Sequence, residues 1–70
     1  MLDNMSVYIE LYDSIDKKWW TLAYFQHKLY AIEYINKILK RERIPYNLID
    51  CQTGEVYIKN GLNLQHRIKR

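Results

Sequence analysis

Cys51 and the histidines His27 and His66 are the side chains from which a thiol nucleophile and its base would have to be assembled in this sequence. A reactive cysteine is a thiolate, and it needs a nearby positive charge or a helix N-terminus to form at neutral pH. Cys51 instead follows Asp50, whose charge opposes ionisation, and no glycine-rich stretch beside it offers backbone N–H groups to a developing oxyanion. The cysteine reads as a small hydrophobe at a strand end. Positions 27, 51 and 66 do not have the spacing of a zinc site. Asp13 and Asp16 look like paired carboxylates, but their place before Lys17 and Lys18 is that of a solvated turn. A phosphate cradle calls for glycines ahead of a helix, where this chain has Tyr24, Phe25, Gln26 and His27. The expectation is a non-enzymatic protein without catalytic residues, cofactor or metal, one that binds rather than converts.

Binding chemistry has more to draw on, because the chain holds seven tyrosines, two tryptophans and eleven lysines and arginines. Tyr8, Tyr12 and Tyr57, with Trp19 or Trp20, Lys59 and Arg67, are expected on the outer face of a sheet. Aromatic rings interleaved with bases can stack nucleobases and hold phosphates. Cross-strand aromatic pairs also stabilise sheets by roughly 0.2–1 kcal/mol each, so the same pattern serves plain stability or a protein contact. A second stripe, Tyr30, Tyr34, Lys37 and Arg41, recurs at helical spacing and carries residue types enriched in interface hot spots. The run from Lys37 to Arg43 and the tail from His66 to Arg70 could touch phosphates without sequence preference. None of the established nucleic-acid signatures is present.

The elements that must position these residues follow from periodicity. Ser6 to Asp13 alternates Val7, Ile9 and Leu11 with Tyr8, Glu10 and Tyr12, which is the pattern of a half-buried strand. Asp13-Ser14-Ile15-Asp16-Lys17 supplies a turn, and Lys18 to Phe25 is a second strand, in which either alternate set could be buried. From Gln26 to Arg43 the period changes: Ala31, Ile32, Ile35, Ile38 and Leu39 fall on one arc, with Glu33, Asn36, Lys37, Lys40 and Arg43 opposite. This amphipathic helix lacks a strong N-cap, gathers bases in its last turns, and is ended by Pro45. Tyr46 to Cys51 and Glu55 to Lys59 are strands joined by a tight loop with Gly54 in the left-handed position. Asn60-Gly61 predicts a further hairpin into a fifth strand, Leu62 to Ile68. The layout is α+β: a two-strand hairpin, one amphipathic helix, then two or three antiparallel strands, with the helix on one face of the sheet. Val7, Ile9, Leu11, Val56, Ile58, Leu62 and Leu64 are expected to face that helix.

Length and composition bound the rest. Seventy residues make one domain, expected to span 1–70 with fraying at 1–5 and 69–70, and bury only about 60% of the unfolded surface. With hydrophobic residues at 49% of the chain, a core is nevertheless available. A lone cysteine fits a reducing compartment, and neither a signal peptide nor a membrane span is evident, so a cytoplasmic protein is expected. The net charge of +3 is unevenly spread, with four acids and no base in residues 1–16 and four bases in residues 59–70. The favoured expectation is a protein-interaction module, a regulator or inhibitor of a larger protein, with another protein or a second copy as partner. The alternative is a small basic nucleic-acid-binding protein.

Overall fold

The computed structural model describes residues 4–61. It shows an α+β fold in ββαββ order, with a sheet of four antiparallel strands ordered β2-β1-β3-β4. The strands are β1 (Val7–Asp13), β2 (Lys18–Phe25), β3 (Tyr46–Asp50) and β4 (Val56–Gly61). The expected fifth strand lies outside the described residues.

The first turn is closed by Asp13, whose carboxylate accepts the backbone N–H groups of Ile15 (2.9 Å) and Asp16 (3.2 Å). Lys17 completes it in the left-handed region at φ 56°. Asp50 repeats the device in the second turn, accepting from Gln52 at 2.7 Å and Thr53 at 2.9 Å, and Gly54 takes the expected left-handed position at φ 81°. Asparagine and glycine normally fill such positions, so Lys17 is strained.

Between the hairpins the chain forms α1 (Lys28–Tyr34), a π-helical segment (Ile35–Leu39) and a last α-helical turn, α2 (Lys40–Glu42). His27 is the N-cap and makes no side-chain capping bond, as expected from the absence of Ser, Thr, Asp or Asn there. Arg43 ends the helix in the left-handed region at φ 59°, and Pro45 follows. The π-helical segment changes which residues reach the core. Its i→i+5 bonds put more residues into a turn, so Ala31, Ile35 and Leu39 line up and are buried. Ile38, expected in the core at 100° per residue, is instead 40% exposed.

The core lies between the helix and one sheet face, and comprises Val7, Ile9, Ala31, Ile35, Leu39, Tyr46 and Leu48, edged by Leu11, Phe25, Ile32, Tyr34 and Ile58. In register, Ala23, Ile9, Leu48 and Ile58 form one row across this face, and Trp20, Leu11, Tyr46 and Gly61 the next. Three irregularities disturb the alternation. Between the pairs Ile9–Ala23 and Glu10–Thr21, β2 holds the extra residue Leu22. Between Leu48–Ile58 and Ile49–Val56, β4 holds the extra residue Tyr57. Asn60, at φ 57°, is the third, and its N–H donates to the Asn47 side chain at 2.9 Å. The Asn60-Gly61 pair therefore bulges β4 rather than reversing it, and Gly61 still pairs with Tyr46.

A bulge reverses the face of every residue beyond it. Val56, expected to face the helix, pairs with Ile49 on the opposite side and is exposed. Tyr57, expected on the open side, turns toward the helix, where Lys28 Nζ sits 4.1 Å from its ring centre.

Candidate binding face of the sheet

The face turned from the helix has no covering element among the described residues. One row across it reads Tyr24, Tyr8, Ile49, Val56, a second reads Thr21, Glu10, Asn47, and at its end Trp19 opposes Tyr12. The rings meet in pairs: Tyr8 and Tyr24 at 5.4 Å between centres with planes tilted by 41°, Tyr12 and Trp19 at 5.2 Å and 58°. Such tilted contacts favour the ring quadrupoles. Between them Asn47 donates to Glu10 at 3.1 Å, which fixes the only carboxylate of that middle row. Ile49 is buried at 7% exposure without belonging to the helix-side core, so this face carries an apolar floor of its own. Burial and the Glu10 charge both push the Tyr8 hydroxyl above its ordinary value, which keeps it a neutral donor.

Of the two tryptophans, Trp19 is on this face. Trp20 faces the helix side, yet is 49% exposed on the edge strand. With Leu11, Ile15 and Ile44 it lines an open groove of about 390 Å³, and Lys18 Nζ lies 5.1 Å from its ring centre.

The other expected binding residues are dispersed. Tyr30 is exposed and packs edge-on against His27 at 5.2 Å, while Tyr34 leans on Phe25 at 5.9 Å and closes the core rim. Tyr34 thus serves packing, and the expected stripe with Tyr30, Lys37 and Arg41 is interrupted by the π-helical turn. Lys37 and Arg41 are exposed on the helix. Lys59 is exposed on β4, and alternation from Ile58 places it on the open side. Arg67 lies outside the described residues. Tyr24 and Ile49 belong to the open face and are not singled out by the sequence pattern. Their signal, a position in register beside Tyr8, requires knowing the strand pairing.

Tyr57 and Asp50 form a separate polar knot at the helix N-terminal end. The Tyr57 hydroxyl donates to Asp50 Oδ2 at 2.8 Å. The Thr53 N–H, this hydroxyl and the Gln52 N–H together hold the Asp50 carboxyl below its ordinary range. The unfolded chain therefore takes up this proton first as pH falls. The stabilisation is whole above the ordinary carboxylate pKa of about 3.9 and is lost as pH drops through the lower folded value. Melting temperature is expected to fall between about pH 5 and pH 2, and Asp50→Asn, which preserves an acceptor for the turn, is expected to flatten that slope. An unchanged slope would remove Asp50 from the acid response. Cys51, next in sequence, has its thiol pushed up by burial and by the Asp50 charge, the direction opposite to nucleophile activation.

No three His, Cys, Asp or Glu side chains among the described residues are placed to hold a metal ion. No helix among them is long and apolar enough to cross a membrane. Compared with known proteins, the chain matches no family model, no curated protein and no solved structure.

Proposed function

We propose that this protein is an interaction module, acting in the cytoplasm as a regulator or inhibitor of another protein, and that the open sheet face is its contact surface. The observation that carries this reading is the pair of aromatic contacts, Tyr8 with Tyr24 and Tyr12 with Trp19, on a face that no described element covers. Tyrosine and tryptophan offer rigid contact area with a polar tip, the combination that dominates interface energetics. The nucleic-acid reading finds less support. Among the described residues, Lys37, Lys40 and Arg41 sit on the helix, on the opposite side of the sheet from these rings, and of the expected bases described there Lys59 alone shares their side.

Tyr12→Lys and Val56→Lys place a charge at opposite ends of the open face. Each is expected to lower capture of the partner from source-cell extract at least tenfold with the far-ultraviolet spectrum unchanged, while Tyr30→Ala leaves capture intact. Equal capture by all three variants would sink the open-face assignment. Tryptophan fluorescence titrated with a single-stranded oligonucleotide is expected to stay flat from low to moderate salt. Salt-sensitive quenching would put the nucleic-acid reading first.

A further inference from the structure

We infer that the partner along β2 is a second copy of this chain, docked antiparallel through the β2 edge so that two four-stranded sheets join into one. This rests on the interaction-module reading and names one partner for it. Among the described residues nothing pairs with the outer edge of β2, a strand of eight residues with no proline and with charge only at its start, at Lys18. Such an edge is a template for strand addition. Trp20, Leu22 and Tyr24 along it are 49%, 38% and 41% exposed.

The bulge fixes the register. Lys18, Trp20, Ala23 and Phe25 pair with the helix-facing residues of β1, whereas Trp19, Thr21 and Tyr24 pair with the open-face residues. Thr21 and the extra residue Leu22 together oppose Glu10, so both lean to the open side. Directly opposed residues of neighbouring strands must point to the same face. Two copies of β2 related by a two-fold axis satisfy this along the strand when the axis passes between Thr21 and Leu22. Trp19 then opposes Tyr24 of the second copy, Trp20 opposes Ala23, Lys18 opposes Phe25, and the two bulges face each other. Moving the axis by half a residue either way sets a helix-side residue against an open-face one at every strand position off the axis.

The same register joins the aromatic contacts. Tyr8 and Tyr24 of one copy continue into Trp19 and Tyr12 of the other, which makes two four-ring bands across a shared open face. Charge agrees with the antiparallel sense. A parallel pairing would set Lys17 and Lys18 against their own copies, whereas the antiparallel one separates them by about 25–30 Å, beyond the Debye length of about 8 Å, and puts each beside Gln26 or Phe25.

Sedimentation of the full chain from 1 to 500 µM tests the proposal. The expected result is a shift toward twice 8.6 kDa, abolished by Leu22→Lys but retained by Val56→Lys, both variants keeping the native spectrum. Register is read by distances between spin labels on cysteines introduced at exposed sites in a Cys51→Ser background. Copies labelled at Lys17 mixed with copies labelled at Gln26 should give a short separation, and copies all labelled at Lys17 about 30 Å. A monomer at every concentration, or a dimer indifferent to Leu22→Lys, overturns the inference. A monomer whose partner capture still fails with Tyr12→Lys overturns only the second copy and leaves the interaction module standing. A β2 dimer with capture unaffected by Tyr12→Lys and Val56→Lys leaves the second copy standing and overturns the open-face assignment.

Discussion

Ile35→Ala is expected to destabilise the fold by about 2–5 kcal/mol, and Ile38→Ala by no more than about 1 kcal/mol. The two residues are three apart on one helix, and an ideal α-helix would bring both to the sheet. In the structure Ile35 is fully enclosed by the core cluster while Ile38 is 40% exposed, because the π-helical segment holds Leu39 over Ile35 and swings Ile38 to the rim. Truncating Ile35 leaves a cavity between the helix and the sheet, lined by residues that cannot collapse without moving the strands. A chain of this length has roughly 4–10 kcal/mol of stability in total, so that loss leaves a substantial unfolded population. Urea denaturation reads both variants, with the midpoint falling for Ile35→Ala at unchanged slope. Similar losses at the two sites would mean that the helix is regular and that the core is phased as the sequence alone implies.

That contrast marks where sequence reasoning stops. The four described strands, the helix, its weak N-cap and its end before Pro45 were all legible, because each rests on local periodicity or on one residue's backbone preference. The hairpins were legible because Asp13 and Gly54 are turn residues by side-chain acceptor and by backbone freedom, whereas Asp50, expected within the strand, closes the second turn with its carboxylate. Single-residue insertions could not be read. Leu22, Tyr57 and the left-handed Asn60 each add one residue to a strand without changing its composition, and the π-helical turn does the same to the helix. Each insertion shifts the phase of the residues beyond it. Val56 and Tyr57 exchanged faces for this reason, and Ile38 left the core. Of the expected binding residues, Tyr8, Tyr12 and Trp19 do share one open face, since the irregularity in β2 falls after Trp19 and β1 is regular. Tyr57 does not join them, because the bulge falls on Tyr57 itself. Tyr24 was hidden for the complementary reason. It lies beyond the β2 bulge, which moves it to the same face as Trp19 although the two are an odd number of residues apart.

Gly61→Ala is expected to cost about 1–3 kcal/mol, and most of that is expected to vanish when Tyr46 is a leucine. Gly61 is buried at the end of β4 directly across from Tyr46, whose ring lies over its Cα. A Cβ built on Gly61 would stand 2.6 Å and 2.8 Å from the two Cε atoms of that ring, inside any tolerated contact. The ring cannot retreat easily, being 4% exposed and part of the central cluster with Leu39 and Leu48. Tyrosine thus covers a strand glycine, filling the space its missing side chain would leave. The penalty is steric rather than conformational, and a double-mutant cycle separates the two. Tyr46→Leu shortens the opposing side chain, so the coupling between positions 46 and 61 should account for most of the Gly61→Ala loss. Gly54 supplies the contrast. Nothing lies within 4 Å of a Cβ placed there, but its φ of 81° is strained for any L side chain. Gly54→Ala should therefore cost about 1–2 kcal/mol through the backbone alone, and no neighbouring substitution should recover it. Equal behaviour of the two glycines would show that the Tyr46 ring yields. The end of β4 would then be held by its ladder hydrogen bonds rather than by packing.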